Sequence, residues 1–309
     1  MHRMLWLAAA ALLAAGCSTA SGREATAENR PDPRPLNGVL HFTAAESAVL
    51  HRAEEQEVQG CMARRGFDYL VVPVGDDERE AAVSPYGLLT ESQASQNGYG
   101  LGLRRLQKSP SDPNTPQLSA SSQHSRRAWE EALKGTRGGP REEIALEVGP
   151  TVSVPTDSCV SVARRALYGV SWERNYYTLQ SLSISIARST LKHPLVKAAE
   201  DEWAVCMRDE GFPYQEREAP LRTVKEQLDA AKSDMAAVRA AGREELRIAV
   251  ADYACQEDVG LAEQIALAQT KVETGLPATT RSMVRDFKTA RQAALKRAEA
   301  VRFADRPSV

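Results

Sequence analysis

The chain has 309 residues, 42% of them hydrophobic and 6% aromatic, which supplies enough apolar material for one large domain or two ordinary ones. Its 39 basic and 41 acidic residues nearly cancel, so no positive excess favours nucleic acid as a partner. A solvated surface of mixed sign is the expectation.

The N-terminus carries an export signal that ends in a cysteine. An apolar run begins at Leu5, after the single basic side chain of Arg3, and closes with small residues before Cys17. The run is shorter than the roughly 20 residues of a membrane-spanning helix and has the length of a signal-peptide core. We predict a lipoprotein signal peptide over residues 1–16 and lipidation of the Cys17 thiol. Ala14 stands where such signals usually have leucine, and the alternatives are an ordinary secretory signal or a short membrane anchor.

Lipidation at Cys17 would make the bilayer a partner and place the protein on the extracytoplasmic face of the cell membrane. Two or three acyl chains such as palmitate, at about 0.8 kcal/mol per buried CH₂, give stable anchoring. Residues 17–40 are small, charged and rich in proline, with Pro31, Pro33 and Pro35 near the end. Such a segment buries too little apolar surface to fold, so we predict a disordered tether.

The remaining chain predicts a mainly α (α+β) fold with a small β-hairpin. Thr43 and Glu46 fit a capping box, which starts a helix that ends at Gly66. Residues 69–72 are apolar and include two β-branched valines, which predicts a short strand. Residues 75–118 are rich in turn-forming residues and are predicted to be mainly loop. Glycines at positions 98, 100 and 102 lack the Lys-Ser/Thr of a phosphate loop, which favours an irregular turn.

The hairpin and the C-terminal helices follow from periodicity. Ile144, Leu146 and Val148 alternate with other residues, a Gly-Pro turn follows, and Val152 and Val154 alternate on the return. From position 156 the pattern becomes helical. The predicted helices cover residues 157–168, 172–191, 195–210, 220–241, 243–271 and 278–303.

Two fifteen-residue stretches, 55–69 and 200–214, align without gaps and share seven residues, among them Cys, Met, Gly, Phe and Tyr. In each, a large side chain precedes the cysteine by one turn on the same helical face, and glycine ends the helix. The repeat predicts two pseudo-repeated units, the first at 41–170 with the hairpin and the second, all-helical, at 171–309.

Four cysteines remain beside Cys17, and an even number in an exported chain predicts disulfides. The repeat favours Cys61–Cys159 and Cys206–Cys255, although Cys61–Cys206 with Cys159–Cys255 stays open if the halves are swapped. The cysteines lack the close spacing of zinc ligands and the five histidines are scattered, so we predict no metal.

The chain resembles a group of secreted actinobacterial lipoproteins of the Streptomyces type. These carry a Trp-x-x-Cys-Met-x-x-x-Gly-aromatic segment, matched here by residues 203–212, with Val58 in place of tryptophan in the first copy. They also carry a cysteine followed by Ala-Arg-Arg-x-Leu-Tyr-Gly, matched from Cys159 to Gly169. The resemblance covers patches of residues 45–270 and implies no activity.

The sequence shows no catalytic signature and predicts no catalytic residue and no cofactor. Adjacent acids, such as those at 54–55 and 142–143, are typical of a solvated surface. Trp172, Tyr176 and Tyr177 are candidates for a ligand groove, although packing of their helix is the favoured explanation. We therefore predict a non-enzymatic binding or structural role toward an envelope protein or cell-wall component. The alternative is an envelope hydrolase with its site between the two halves.

Overall fold

The computed structural model describes residues 30–75, 83–107 and 111–304, the last four of these as backbone only. The predicted signal peptide, Cys17 and most of the predicted tether lie outside the described residues. A compact unit begins at Pro31.

In its described part the chain forms twelve α-helices and one antiparallel strand pair, which confirms the mainly α fold class. The first five helices are α1 (Ala44–Arg64), α2 (Glu91–Gln96), α3 (Leu101–Leu106), α4 (Thr115–Ala120) and α5 (Gln123–Lys134). The strands β1 (Arg141–Ile144) and β2 (Val152–Pro155) follow. The remaining helices are α6 (Cys159–Tyr168), α7 (Trp172–Leu191), α8 (Pro194–Asp209), α9 (Ala219–Ala231), α10 (Met235–Asp258), α11 (Leu261–Glu273) and α12 (Ala278–Ala304).

Helix α1 begins as its capping box predicts. The Thr43 hydroxyl accepts from the Glu46 backbone N–H at 3.2 Å, and the Glu46 carboxylate accepts from the Thr43 N–H at 2.9 Å. These two bonds satisfy backbone donors that the first turn would otherwise leave unpaired. None of the helices in the described ranges is long and apolar enough to span a bilayer.

The predicted strand at 69–72 is extended chain without a strand partner. Leu70 donates its N–H to Asn114 Oδ1 and accepts at its carbonyl from Asn114 Nδ2, both at 2.8 Å. The side-chain amide of a fully buried asparagine thus supplies the pair of bonds that a neighbouring strand would give.

The hairpin is confirmed, but its first arm starts earlier than predicted. Ile144 pairs with Val152, so the alternation continues past the ladder into a connecting loop. Val148 bonds instead to Ser181 on α7, through its N–H at 3.2 Å and its carbonyl at 2.8 Å. The Ser181 hydroxyl thus binds the N–H and the carbonyl of Val148, which a longer hairpin would have paired with the opposite strand.

The predicted break between the helices at 220–241 and 243–271 is wrong. The chain breaks at residues 232–234, where the Asp234 carboxylate caps α10, and again at Gly260. Gly242 lies inside α10, where its Cα faces Gly102 of α3, and a Cβ on Gly102 would lie 3.0 Å from that atom. Glycine is present there because two helices approach closely, and the approach cannot be seen in the local sequence.

The predicted tether is too long at its C-terminal end. Residues 35–38 form a 3₁₀ turn, and Leu36 and Val39 are buried in the core. The Leu36 N–H donates to Glu273 Oε1 at 2.8 Å. Composition suggested a segment unable to fold by itself, but apolar side chains here are covered by helices from the far end of the chain.

The predicted boundary at residue 170 does not separate two packing units. Helix α12 packs on α1, α6 and α7, while α2 and α3 pack on α10. One hydrophobic core joins Leu50, Leu167, Leu179 and Phe287. The repeat therefore marks two local units whose surroundings are interleaved.

Candidate functional site

The structure contains the disulfides Cys61–Cys159 and Cys206–Cys255, which confirms the pairing that the repeat favours. Each disulfide begins in one of the two repeated stretches, which we call the first motif (residues 55–69) and the second motif (residues 200–214). It joins the end of the motif's helix, α1 or α8, to a later helix, α6 or α10. The fifth predicted site residue, Cys17, lies outside the described residues.

The two motifs end their helices in the same way. Gly66 and Gly211 have φ values of +80° and +88°, which side chains rarely adopt. The next residue folds back in each copy, so that Phe67 donates to the Met62 carbonyl at 3.0 Å and Phe212 to the Met207 carbonyl at 2.8 Å. This is the Schellman arrangement, which pairs carbonyls that a helix end would otherwise leave without donors.

The second motif surrounds a buried carboxylate. Asp252, only 3% exposed, accepts from Trp203 Nε1 at 2.9 Å, from the Tyr99 hydroxyl at 2.8 Å and from Gln256 Nε2 at 2.9 Å. Burial raises the pKa of the Asp252 carboxyl, and the hydrogen bonds from Gln256, Tyr99 and Trp203 counter part of that rise. Burial and the neighbouring Asp252 charge also raise the pKa of Tyr99.

A second buried carboxylate explains the glycine-rich run. Glu245, 2% exposed, accepts from the backbone N–H groups of Leu101 at 2.8 Å and Gly102 at 2.7 Å. A Cβ on Gly98 would lie 2.7 Å from Glu245 Cγ, so this carboxylate occupies the concave face of the run. The glycines make room for a side chain of the same protein.

Acidic residues that are adjacent in the sequence bind different partners in the structure. Glu54 binds Arg164 Nε at 2.9 Å, whereas Glu55 accepts from the Tyr69 hydroxyl at 2.9 Å. Glu142 pairs with Arg174 at 2.6 Å. These carboxylates are bound by donors of the chain itself, which favours a stabilising role over acid–base chemistry.

A small cavity lies where α6 turns into α7. This corner pocket has a volume of about 100 Å³ and is lined by residues from the turn, from both helices and from α12. The lining residues are Tyr168, Gly169, Val170, Ser171, Trp172, Asn175, Asp286, Phe287 and Ala290.

An aromatic stack forms one side of the corner pocket. Tyr168 and Phe287 stack on Trp172 with ring centroids 4.1 and 4.2 Å away. Two rings at these distances would collide on one face, so they cover opposite faces of the indole. Tyr176 and Tyr177 belong to the same aromatic group but do not line the pocket. Of the three predicted groove residues, Trp172 is therefore the one that lines the corner pocket.

Three polar side chains at the corner pocket have free hydrogen-bonding capacity. Within the described ranges, no hydrogen bond or ion pair involves the side chains of Ser171, Asn175 or Asp286. Asn175 is half-buried, while Ser171 and Asp286 are exposed. The pocket thus combines an apolar side with unpaired donors and acceptors, as binding sites for small groups do.

Sequence reasoning missed Asn175, Asp286 and the buried acids of α10. Asp286 lies on α12, more than a hundred positions after Trp172, and lines the same pocket. No local sequence pattern predicts that these two residues come together. Asp252 lies one turn before Cys255, so its position beside a disulfide was the available signal for a buried acid.

No cluster of three or more metal-ligating side chains occurs in the part of the chain that the structure describes. No protein-family model, curated protein or solved structure matches this chain.

Proposed function

We propose that the protein is a lipoprotein, held at the extracytoplasmic face of the cell membrane through acylated Cys17, with a non-enzymatic binding or structural role. Its partner would be an envelope protein or a cell-wall component. The observation that carries this proposal is the short apolar N-terminal run that ends in small residues and Cys17.

Two features of the folded part support the proposal. Two disulfides are typical of exported proteins, because the cytosol keeps thiols reduced. The buried acids Glu245 and Asp252 are bound by internal donors. The corner pocket, of about 100 Å³, is smaller than the roughly 300–1,000 Å³ of pockets that hold whole small molecules. A pocket of this size suits recognition of a protruding group on a larger partner.

The anchor is tested by Cys17→Ala in cells fed a labelled fatty acid. We expect loss of the label and either release of the protein into the medium or accumulation of the uncleaved chain. Ser18→Ala is the matched control, because it changes the neighbouring residue and leaves the thiol. Unchanged labelling of the Cys17→Ala protein would overturn the anchor.

The binding role is tested by crosslinking the anchored protein in living cells and identifying what is attached. A reproducible envelope protein or wall fragment supports the role. Hydrolysis of peptidoglycan or peptides by the purified protein, abolished by changing one polar side chain, would overturn it in favour of the envelope hydrolase.

A further inference from the structure

The corner pocket has the dimensions of a single substituent. An apolar cavity of about 150 Å³ admits benzene. The roughly 100 Å³ of the corner pocket therefore admits a group of a few heavy atoms and excludes a complete sugar ring or aromatic ring. The bulk of any ligand must remain outside, above the turn at 169–171.

The charge at the corner pocket selects against anions, and its other groups favour a neutral ligand over an ammonium. The Asp286 carboxylate opposes an anionic ligand such as a phosphate or carboxylate. Both faces of Trp172 are covered, so this ring can offer only its edge, which carries the positive part of the ring quadrupole and disfavours a cation. An ammonium group would also leave the Asn175 amide N–H groups without an acceptor. A neutral ligand fits best.

The free polar groups define what that neutral ligand must carry. Asp286 requires a donor, and Asn175 offers both an amide donor and a carbonyl acceptor. A secondary amide carries one N–H and one C=O, which matches this pair. A methyl group on the amide carbonyl would fill the apolar side next to the aromatic stack.

Val170 supplies a second, independent indication of a ligand. Its side chain stands at the rim of the corner pocket and is 81% exposed, the highest value among the exposed large apolar residues. An apolar side chain beside a pocket is covered when a ligand lies across the rim. The C–H groups on the face of a pyranose ring have the right character for that contact.

We infer that the corner pocket binds the acetamido group of an N-acetylated sugar, with the sugar ring resting on Val170. The amide N–H donates to Asp286, the amide carbonyl accepts from Asn175, and the methyl group enters the pocket. The inference rests on the proposed function, since N-acetylated sugars are the repeating units of the cell-wall glycan, and it names the chemistry that the binding role would recognise.

The test uses the full purified chain in detergent and isothermal titration calorimetry. Oligomers of N-acetylglucosamine are compared with glucose oligomers of the same length and linkage, which are also neutral and carry a hydroxyl in place of each acetamido group. We expect binding of the acetylated oligomer and at least a tenfold weaker response to the other, roughly the effect of losing a hydrogen bond to a charged group. Equal binding of both, or of neither, would overturn the acetamido assignment.

Variants locate the site. Asp286→Ala and Asn175→Ala should each weaken binding about tenfold, while Asp229→Ala, another exposed acid in a helix, should leave it unchanged. Because Asn175 is half-buried, Val170→Ser provides an exposed position that can weaken binding without disturbing the core. Unchanged binding by both Asp286→Ala and Val170→Ser would overturn the location.

The inference can fail while the proposed function survives. If Cys17-dependent anchoring and envelope crosslinks persist but the acetylated oligomer does not bind, the sugar assignment alone is wrong. If the chain proves to be cytosolic, the anchor fails whatever the calorimetry shows.

Discussion

The two cysteine motifs share a helix end and a disulfide but differ in what lies next to them. In the first, half-buried Glu55 binds the Tyr69 hydroxyl and accepts from the Val72 backbone N–H at 2.8 Å. The same ungapped alignment takes Glu55 to Glu200 and Val72 to Arg217, whose Nη1 lies 3.7 Å from the Glu200 carboxylate. In the first motif the glutamate binds a backbone N–H of the segment that follows the helix. In the second motif the corresponding glutamate pairs with the side chain of Arg217.

This replacement has a structural consequence. Arg217 also donates to the Tyr86 carbonyl at 2.5 Å, and Gln256 accepts from the Leu89 N–H at 3.0 Å. The second motif therefore holds the segment around Gly87 against the helices, whereas the ties of Glu55 stay within the first motif's own exit segment. A repeated local unit has been adapted to two tertiary surroundings by changing the side chains beside the disulfide.

Removal of either disulfide should have the largest effect on stability. The chain-entropy treatment gives about 4.7 kcal/mol for a loop of 98 residues and about 4.1 kcal/mol for one of 49. Replacing Cys61 and Cys159 together by alanine, or Cys206 and Cys255 together, should lower the free energy of unfolding by nearly equal amounts, measured by urea denaturation. If removing one pair leaves the free energy of unfolding unchanged, the two disulfides do not contribute equally to stability.

The buried acid of the second motif should matter more than its half-buried counterpart in the first. Asp252→Ala leaves the donors of Trp203, Tyr99 and Gln256 without an acceptor in the interior, and we expect a loss of about 3 kcal/mol. Glu55→Ala should cost about 1 kcal/mol, because water can reach the groups it exposes. Equal losses in urea denaturation would contradict the contrast between the motifs.

Asp252→Asn is the control, since it keeps an acceptor and removes the charge. Burial raises the pKa of Asp252 in the folded protein, so the folded state holds this proton to a higher pH than the unfolded chain. The contribution of Asp252 to the free energy of unfolding must therefore fall as the pH rises from the ordinary aspartate range through the raised pKa. The asparagine variant lacks that fall, and its stability relative to the original protein should improve with pH.

The smallest expected effect tests the feature that the two motifs share. Gly66→Ala and Gly211→Ala should each lower the free energy of unfolding by about 1 kcal/mol, because alanine resists a positive φ. A Cβ at either position meets no described atom within 4 Å, so strain is the only penalty. Gly275→Ala, at an equally open position without a positive φ, should cost nothing. Unequal values for the first two would mean that the helix ends differ.

The local sequence predicted what depends on neighbouring residues. The capping box at Thr43 and the glycine stops at 66 and 211 follow from residues a few positions apart, and all three are present in the structure. The disulfide pairing also followed from the sequence, because an internal repeat compares two parts of one chain. The candidate site was partly visible, since Trp172 stood out as an aromatic residue in a helix.

The failures have a common cause. The structure has no helix break near Gly242, because that glycine lies inside α10 and allows close approach of Gly102 on another helix. The folded part begins before the predicted end of the tether, because Leu36 is covered by distant helices. In each case a contact between remote segments outweighed a local preference, since burial of apolar surface and close packing act wherever the fold brings atoms together.

By itself, the sequence determined the first helix with its capping box, the glycine stops, the repeat and the cysteines that pair, because these depend on short-range geometry and on self-similarity. Only the tertiary structure decided that Phe287 of the last helix packs in one core with Leu50 and Leu167 of the first half, that Glu245 binds the backbone of the glycine-rich run and that Asp286 and Trp172 line the same pocket. Those contacts join residues far apart along the chain, and the free energy that selects them comes from packing and from desolvated polar groups finding partners.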